Sequence, residues 1–461
     1  MTPVQDITSP MTPLERRATL ALALVYALRM LGLFMMLPVL SLFAEQLAGS
    51  TPFLIGLAVS IYGLTQALLQ IHFGLWSDRL GRKKVIVIGL LLFIAGSIVA
   101  ALSTTIYGVL AGRALQGSGA IAAAVMALAA DLTQEVHRTK AMATIGASIG
   151  LSFGVAVTMG PIIANLIGVQ GIFWVTAVLA FLAILAILFV VPDPPKSKKH
   201  RDAEVVPEKM SDTLKNPDLL RLNYGIFVLH LILTATFVVV PFLMRNAGLL
   251  AAEHWKVYLG VMVSAIIIMV PFVIVAEKKR KMKPVFMGAI ATVIIADIGL
   301  MLLSDNLAGI IVALGFFFIG FNLLEATLPS LISKTAPADM KGTAMGVYST
   351  AQFLGAFLGG AVGGWLFGWS GAFGVFLFCI VVALSWLWVS AGMNPPRYVA
   401  NLLLSLESLS AVEADKFADA LLAVTGVEDV ILHYSEGVAY LKVDNQQLDK
   451  QRIQTLINEF A

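Results

Sequence analysis

Stretches of twenty or more mostly apolar residues recur along almost the whole chain, and they decide what it can fold into. A helix needs about 20 such residues to cross a bilayer. In lipid the backbone N–H and C=O groups must be satisfied within the segment, so spans of this length are helices. Twelve are predicted, at 18–44, 53–76, 84–104, 107–130, 141–165, 170–191, 222–245, 255–276, 284–303, 307–333, 342–368 and 371–393. The sequence is 59% hydrophobic and 13% charged, about half the charged share of a soluble domain. A net charge of +3 gives no reason to expect nucleic acid as a partner. The single cysteine, Cys379, lies in an apolar run, which excludes a disulfide within the chain and reads as a small buried hydrophobe.

The charges fix the orientation. An N-terminus inside the cell places Arg16, Arg17, the cluster from Arg79 to Lys84, Arg138, Lys140, the loop 196–221, the cluster 278–283, Lys334 and Lys341 on one side. The opposite loops hold only Arg245 and Lys256. This is the positive-inside asymmetry, and it makes both termini cytoplasmic. The apolar stretch after Arg17 is too long for a signal-peptide core and reads as a retained first span.

The longest internal loop divides the spans six and six. At an offset of 200 residues Gly146 aligns with Gly346, Phe153 with Phe353, Gly160 with Gly360, Gly168 with Gly368 and Gly171 with Gly371. Two six-span halves in the same orientation point to a parallel repeat with the substrate path between them. The expected division is a leader at 1–17, a first half at 18–191, a cytoplasmic linker at 192–221, a second half at 222–394 and a soluble tail at 396–461.

Residues 74–84 read GLWSDRLGRKK between spans 2 and 3. This resembles the loop signature of the major facilitator superfamily, with Trp76 in place of the usual leucine. RALQGSGA, from Arg113 to Ala120, is similar to the family's span-4 element. AVTMGPIIAN, with Gly160 and Pro161, resembles the Gly-Pro element of proton-coupled antiporters, although Ala156, Ala164 and Asn165 replace its glycines. LGLFMMLPV, from Leu31 to Val39, is similar to an element of twelve-span drug:proton antiporters, with Ser41 where a second proline is usual. The resemblance implies an all-α membrane protein with the major facilitator fold, in a bacterial inner membrane, taking a small-molecule substrate and protons as partners and needing no cofactor.

Family resemblance also implies that spans 1, 4, 7 and 10 line the cavity. Ionisable groups at membrane depth are costly and face protein or water. Span 1 offers Tyr26 and Arg29, span 4 Arg113 and Gln116, span 7 His230, and span 10 Asn322 and Glu325. The pairs 26/29, 113/116 and 322/325 each share a helix face. Glu325 is the candidate proton carrier: burial disfavours its charged form, and a nearby arginine favours it. A permanent Glu–Arg pair joining the halves is the alternative. His230 either relays protons or bonds a helix neighbour. Asp297 on span 9 is expected near the outer interface, and His72 is expected to be structural.

A second constellation comprises Gly74, Asp78, Arg79, Gly81, Arg82 and Asp131. The resemblance implies that Asp78 caps the helix of span 11 near Gly342 and Thr343, and that Arg82 pairs with Asp131. A carboxylate is favoured at the positive end of a helix, and an arginine orients it by charge-assisted bonds. Such a latch joins the halves only while the cytoplasmic side is shut. The matching loop of the second half, AEKKRKMK at 276–283, lacks the glycines.

The tail changes composition after Pro395-Pro396. Strand, helix, two strands joined at Ser435-Glu436-Gly437, and a final helix are predicted, which resembles a small α+β ferredoxin-like domain. No Cys-x-x-C lies between its first strand and helix, so no metal site is expected there. Regulation, a ligand site, self-association of an otherwise monomeric protein, or passive stabilisation stay open. Proton-coupled efflux of small amphipathic molecules is the leading functional reading; transport of one metabolite and a sensor signalling through the tail are the alternatives. No enzyme motif is present. Asp78→Asn is expected to shift the population inward-open, and unchanged cytoplasmic thiol accessibility would contradict this.

Overall fold

The computed structural model describes residues 10–194, 210–337, 340–394, 400–405, 411–433, 438–444 and 447–460. Ten of its helices are long and apolar enough to cross a membrane. Two of these, α7 (Glu135–Leu185) and α13 (Lys341–Ala391), are 51 residues long and each breaks once. Gly168 has φ 75° and Gly371 φ 64°, a region that only glycine enters without strain. Each long helix is therefore two spans folded at a glycine, and twelve spans result. The two breaks are not repeat-related positions: Gly171 and Gly368, their partners at the 200-residue offset, are helical.

The other spans are α1 (Pro13–Phe34) continued by α2 (Leu40–Glu45), α3 (Pro52–Leu80), α4 (Arg82–Leu102) and α5 (Ile106–Ser118) continued by α6 (Ala122–Asp131). After a short α8 (Met210–Lys215) come α9 (Pro217–Asn246), α10 (His254–Lys278), α11 (Met282–Leu302) and α12 (Leu307–Thr335). Several expected boundaries move. The first helix starts at Pro13, inside the expected leader, because Thr12 and Glu15 form a reciprocal capping box ahead of a proline at the first turn. The second half starts at Pro217 because the Asn216 side chain accepts from the N–H groups of Asp218 and Leu219.

Spans 1 and 4 are not continuous helices. Span 1 opens over Met35–Val39, around Pro38, and span 4 opens at Gly119. By contrast α7 runs through Pro161 with helical dihedrals and does not break there. Gly160 instead permits a close approach: a methyl group there would meet the Met35 carbonyl and Pro38. The two sequence elements that resemble antiporter signatures thus pack on each other.

The halves meet most closely along α3 and α13. A side chain at Gly56 would run into the Gly360 carbonyl and lie 2.7 Å from the Gly364 Cα. Gln70 Nε2 donates to the Gly346 carbonyl at 3.1 Å and to Thr350 at 3.2 Å on the same seam. Small residues allow this backbone-to-backbone approach, which drives helix association where water is absent.

The tail is a three-stranded antiparallel sheet in the order β1-β3-β2, from β1 (Ala400–Ser405), β2 (Val427–His433) and β3 (Val438–Val443). Helices α14 (Ala411–Leu422) and α15 (Lys450–Phe460) cover one face through Phe417, Leu421, Ile453 and Leu456. The expected hairpin residues 435–437 lie outside the described residues. Arg280, between α10 and α11, holds both oxygens of Asp444 at 2.7 Å and ties the tail to the second half.

Gly56→Ala should lower stability by about 1–3 kcal/mol through overpacking. Gly288→Ala, with nothing within 4 Å of the added methyl, should be neutral or stabilising by up to ~1 kcal/mol. Thermal unfolding in detergent checks the contrast, and equal midpoints would refute the close seam.

Candidate functional site

The first half builds a buried cationic network. Arg29 on α1 is fully buried, and its Nη2 lies 2.8 Å from the Tyr62 hydroxyl, 2.9 Å from Gln66 Oε1 and 2.8 Å from the Gly119 carbonyl. The interruption of span 4 is what frees that carbonyl from the helical ladder. Arg113 on α5 donates to Gln116 Oε1 at 2.8 Å and to the Ala58 and Val59 carbonyls at 3.3 Å. Gln116 in turn donates to Ser97. Both guanidinium groups lie near the Tyr62 ring, at 5.9 and 5.4 Å, and Arg29 also lies 5.5 Å from the Phe93 ring. Ring faces and neutral oxygens together stabilise two buried cations. Tyr26 is buried one turn before Arg29.

The second half holds the acid. Glu325 and Asn322 lie one turn apart on α12, and the Glu325 Oε2 atom has no hydrogen-bond partner. His230 Nε2 on α9 lies 3.9 Å from it and 2.8 Å from the side-chain amide of Gln352 on α13. The hydroxyl of Tyr348, one turn before Gln352, is also unpartnered. The alternative of a Glu–Arg pair is not seen: among the described residues, neither Arg29 nor Arg113 pairs with a carboxylate. Each takes its acceptors from its own half, and Arg29 Nε and Nη1 have none.

Sequence reasoning missed Ser97 of span 3 and two Tyr–Gln pairs in these networks, because it looked at spans 1, 4, 7 and 10. Tyr62 and Gln66 lie on span 2; Tyr348 and Gln352 lie on span 11. The signal was present as one pattern, Tyr-x-x-x-Gln, on both helices of the seam. The pair Phe153 and Phe353 was visible as repeat-related positions. Phe153 packs on Phe321 at 5.4 Å and on Phe34 at 5.1 Å, while Phe353 packs on Tyr62 at 6.1 Å. Each repeat-related phenylalanine thus reaches into the opposite half.

Aromatic rings close the outer side of the acid cluster. Phe317, Phe318 and Phe237 lie outward of Glu325 and His230 along α12 and α9, joined to Phe153 and Tyr258 by ring contacts of about 5–6 Å. Toward the cytoplasm α7 and α10 part. Gly154 on α7 faces Met262 of α10 at 3.3 Å, but Gly150 and Gly146, one and two turns nearer the cytoplasm on the same strip, face nothing within 4 Å.

The latch residues agree with an open side. Arg82 pairs with Asp78, donates to Ser77 at 2.8 Å and donates to Asp131 at 3.1 Å. Gly81 carries the turn at φ 96°, Gly74 approaches Ala123 of α6, and Arg79 is exposed. Among the described residues Asp78 makes no bond to α13, so the expected cap on span 11 is not formed in this conformer. Asp297 is fully buried toward the outer end of α11, which closes at Leu302, and neither of its oxygens is partnered. His72 is exposed and its Nδ1 lies 3.0 Å from the Leu68 carbonyl.

The sequence model described as Major Facilitator Superfamily matches residues 22–360. The chain belongs to the major facilitator superfamily. It is 48% identical over 450 residues to the inner membrane transport protein YajR of Escherichia coli, covering 97% of this chain and 99% of that one. Multidrug resistance protein 2 of Bacillus subtilis is 34% identical over 29% of this chain and 34% of its own. A crystal structure of a bacterial homologue of the human lysosomal transporter Spinster, inward-facing and occupied, overlaps with a TM-score of 0.66 at 13% identity, over 83% of this chain and 98% of that chain. The superfamily member described here is a multi-pass inner-membrane transporter and not an enzyme.

With Cys379 replaced by serine, Gly150→Cys is expected to react with a membrane-impermeant maleimide from the cytoplasmic face. Ser390→Cys, buried near the cytoplasmic end of α13, is expected not to. Equal reactivity of the two would contradict the open cytoplasmic side.

Proposed function

We propose that this transporter exports small amphipathic molecules in exchange for protons, with Glu325 as the proton carrier. The observation that carries the reading is the unpartnered Oε2 atom of Glu325 beside His230, in a cluster otherwise made of neutral polar groups and rings. A carboxyl group committed to an arginine would hold its charge through the cycle. One without a counter-ion can exchange its proton with whichever side the cavity faces. A proton taken up from outside leaves Glu325 toward the cytoplasm in the inward-open state. The carboxylate then favours a substrate with a positive or hydrogen-bond-donating group, and the Phe153, Phe321 and Phe318 rings favour its apolar part. Identity with a multidrug resistance protein over 29% of the chain supports the same substrate class.

In proteoliposomes with an imposed pH gradient, a panel of amphipathic dyes should be moved against its concentration gradient. Glu325→Gln should reduce that movement at least about 10²-fold, the scale of a lost proton-transfer group, while leaving downhill exchange. Gradient-driven transport by the variant at the native rate would refute the proton role, and transport of one metabolite with no dye would refute the substrate class.

A further inference from the structure

The outer mouth carries an ion pair that the cavity chemistry does not use. Arg245, at the end of α9, donates to Glu45, at the end of α2, through Nη1 to Oε2 at 2.5 Å and through Nη2 to Oε1 at 3.4 Å. Two features separate it from an ordinary surface pair. The first is its place. Glu45 lies on α2 of the first half and Arg245 on α9 of the second, so the pair joins the two halves at their outer ends. The second is its support. The Arg245 guanidinium lies 5.2 Å from the Phe242 ring, and Phe242 stacks on Phe367 of α13 at 5.3 Å. Directly beneath, the buried Ser41 donates to the Phe237 carbonyl across the same interface at 3.4 Å.

The chemistry of the outer face sharpens this. Arg245 and Lys256 are the cations of the outer loops, and Lys256 is held by its own neighbour Glu253 at 2.5 Å. Arg245 alone of the two spans the halves. The pair forms while the cytoplasmic side is open and Asp78 makes no bond to α13.

We propose that Glu45 and Arg245 form an outer gate that stabilises the inward-open state and breaks when the outer side opens. The transport cycle then exchanges one charged contact between the halves for another: Glu45–Arg245 outside for Asp78 on the helix of span 11 inside. Each contact exists in one state only, so each has the differential free energy that a population shift requires. The inference rests on membership of the transporter family and is independent of which residue carries the proton.

The test uses the full chain in oriented proteoliposomes with Cys379→Ser. Two reporters are made separately: Ser41→Cys, beneath the pair, labelled from outside, and Gly150→Cys, labelled from the cytoplasmic side, both with an impermeant maleimide. Glu45→Gln and Arg245→Gln should each raise Ser41→Cys labelling and lower Gly150→Cys labelling, by up to about fivefold for a half-exposed pair. The exchanged double variant Glu45→Arg with Arg245→Glu should restore both rates. Raising ionic strength should mimic the single variants in the native background and change nothing in them. Unchanged rates in the single variants would overturn the proposal. So would faster Ser41→Cys labelling without slower Gly150→Cys labelling, since the pair would then be a local clasp.

Discussion

A charge cannot be left alone at membrane depth, and the two halves of this transporter answer that constraint in opposite ways. The first half surrounds Arg29 and Arg113 with the Tyr62 hydroxyl, Gln66, Gln116, three backbone carbonyls and two ring faces. Among the described residues neither cation pairs with a carboxylate, and Arg29 keeps its Nε and Nη1 atoms unpartnered. The second half therefore keeps Glu325 uncommitted, with an unpartnered oxygen and a histidine at 3.9 Å. Buried ion pairs are costly to assemble and harder to break. In the proposed cycle, the lack of an arginine beside Glu325 is what leaves its proton free to come and go.

The seam between α3 and α13 makes this arrangement movable. It is built of glycines whose backbones touch, with Gln70 hydrogen-bonded across it. Such contacts carry few interlocking side chains, Tyr62 against Phe353 and Gln70 against Thr350 among them, so that one half can tilt on the other. The Glu45–Arg245 pair sits away from this seam, between α2 and α9. The aromatic layer around Phe153 and Phe318 lies between the acid cluster and the outer mouth. In this conformer it separates a cytoplasm-facing acid from the outside.

Much of the fold was legible because hydropathy and charge report directly on lipid and on membrane sidedness. The twelve spans, the repeat, the latch glycines and the βαββα tail all follow from such patterns. Interruptions inside spans were harder to read. Pro38 and Gly119 open spans 1 and 4 without changing their hydropathy, and Gly119 then supplies the carbonyl that binds Arg29. The pairing of Glu325 was not legible either. Arg29, Arg113 and Glu325 look like partners in one dimension, and only the fold shows that neither arginine pairs with a carboxylate among the described residues. Tyr62, Gln66, Tyr348 and Gln352 escaped because uncharged polar residues on an apolar helix cost little in any sequence average.

The claim at the centre is that Glu325 exchanges a proton while the other intramembrane groups keep theirs. Infrared difference spectra of the membrane-embedded protein between acidic and alkaline pH address it without any substrate. The expected result is a protonated-carboxyl band that is lost as pH rises, is absent in Glu325→Gln and is unchanged in Asp297→Asn. A titrating band that persists in Glu325→Gln, or that disappears in Asp297→Asn, would contradict it.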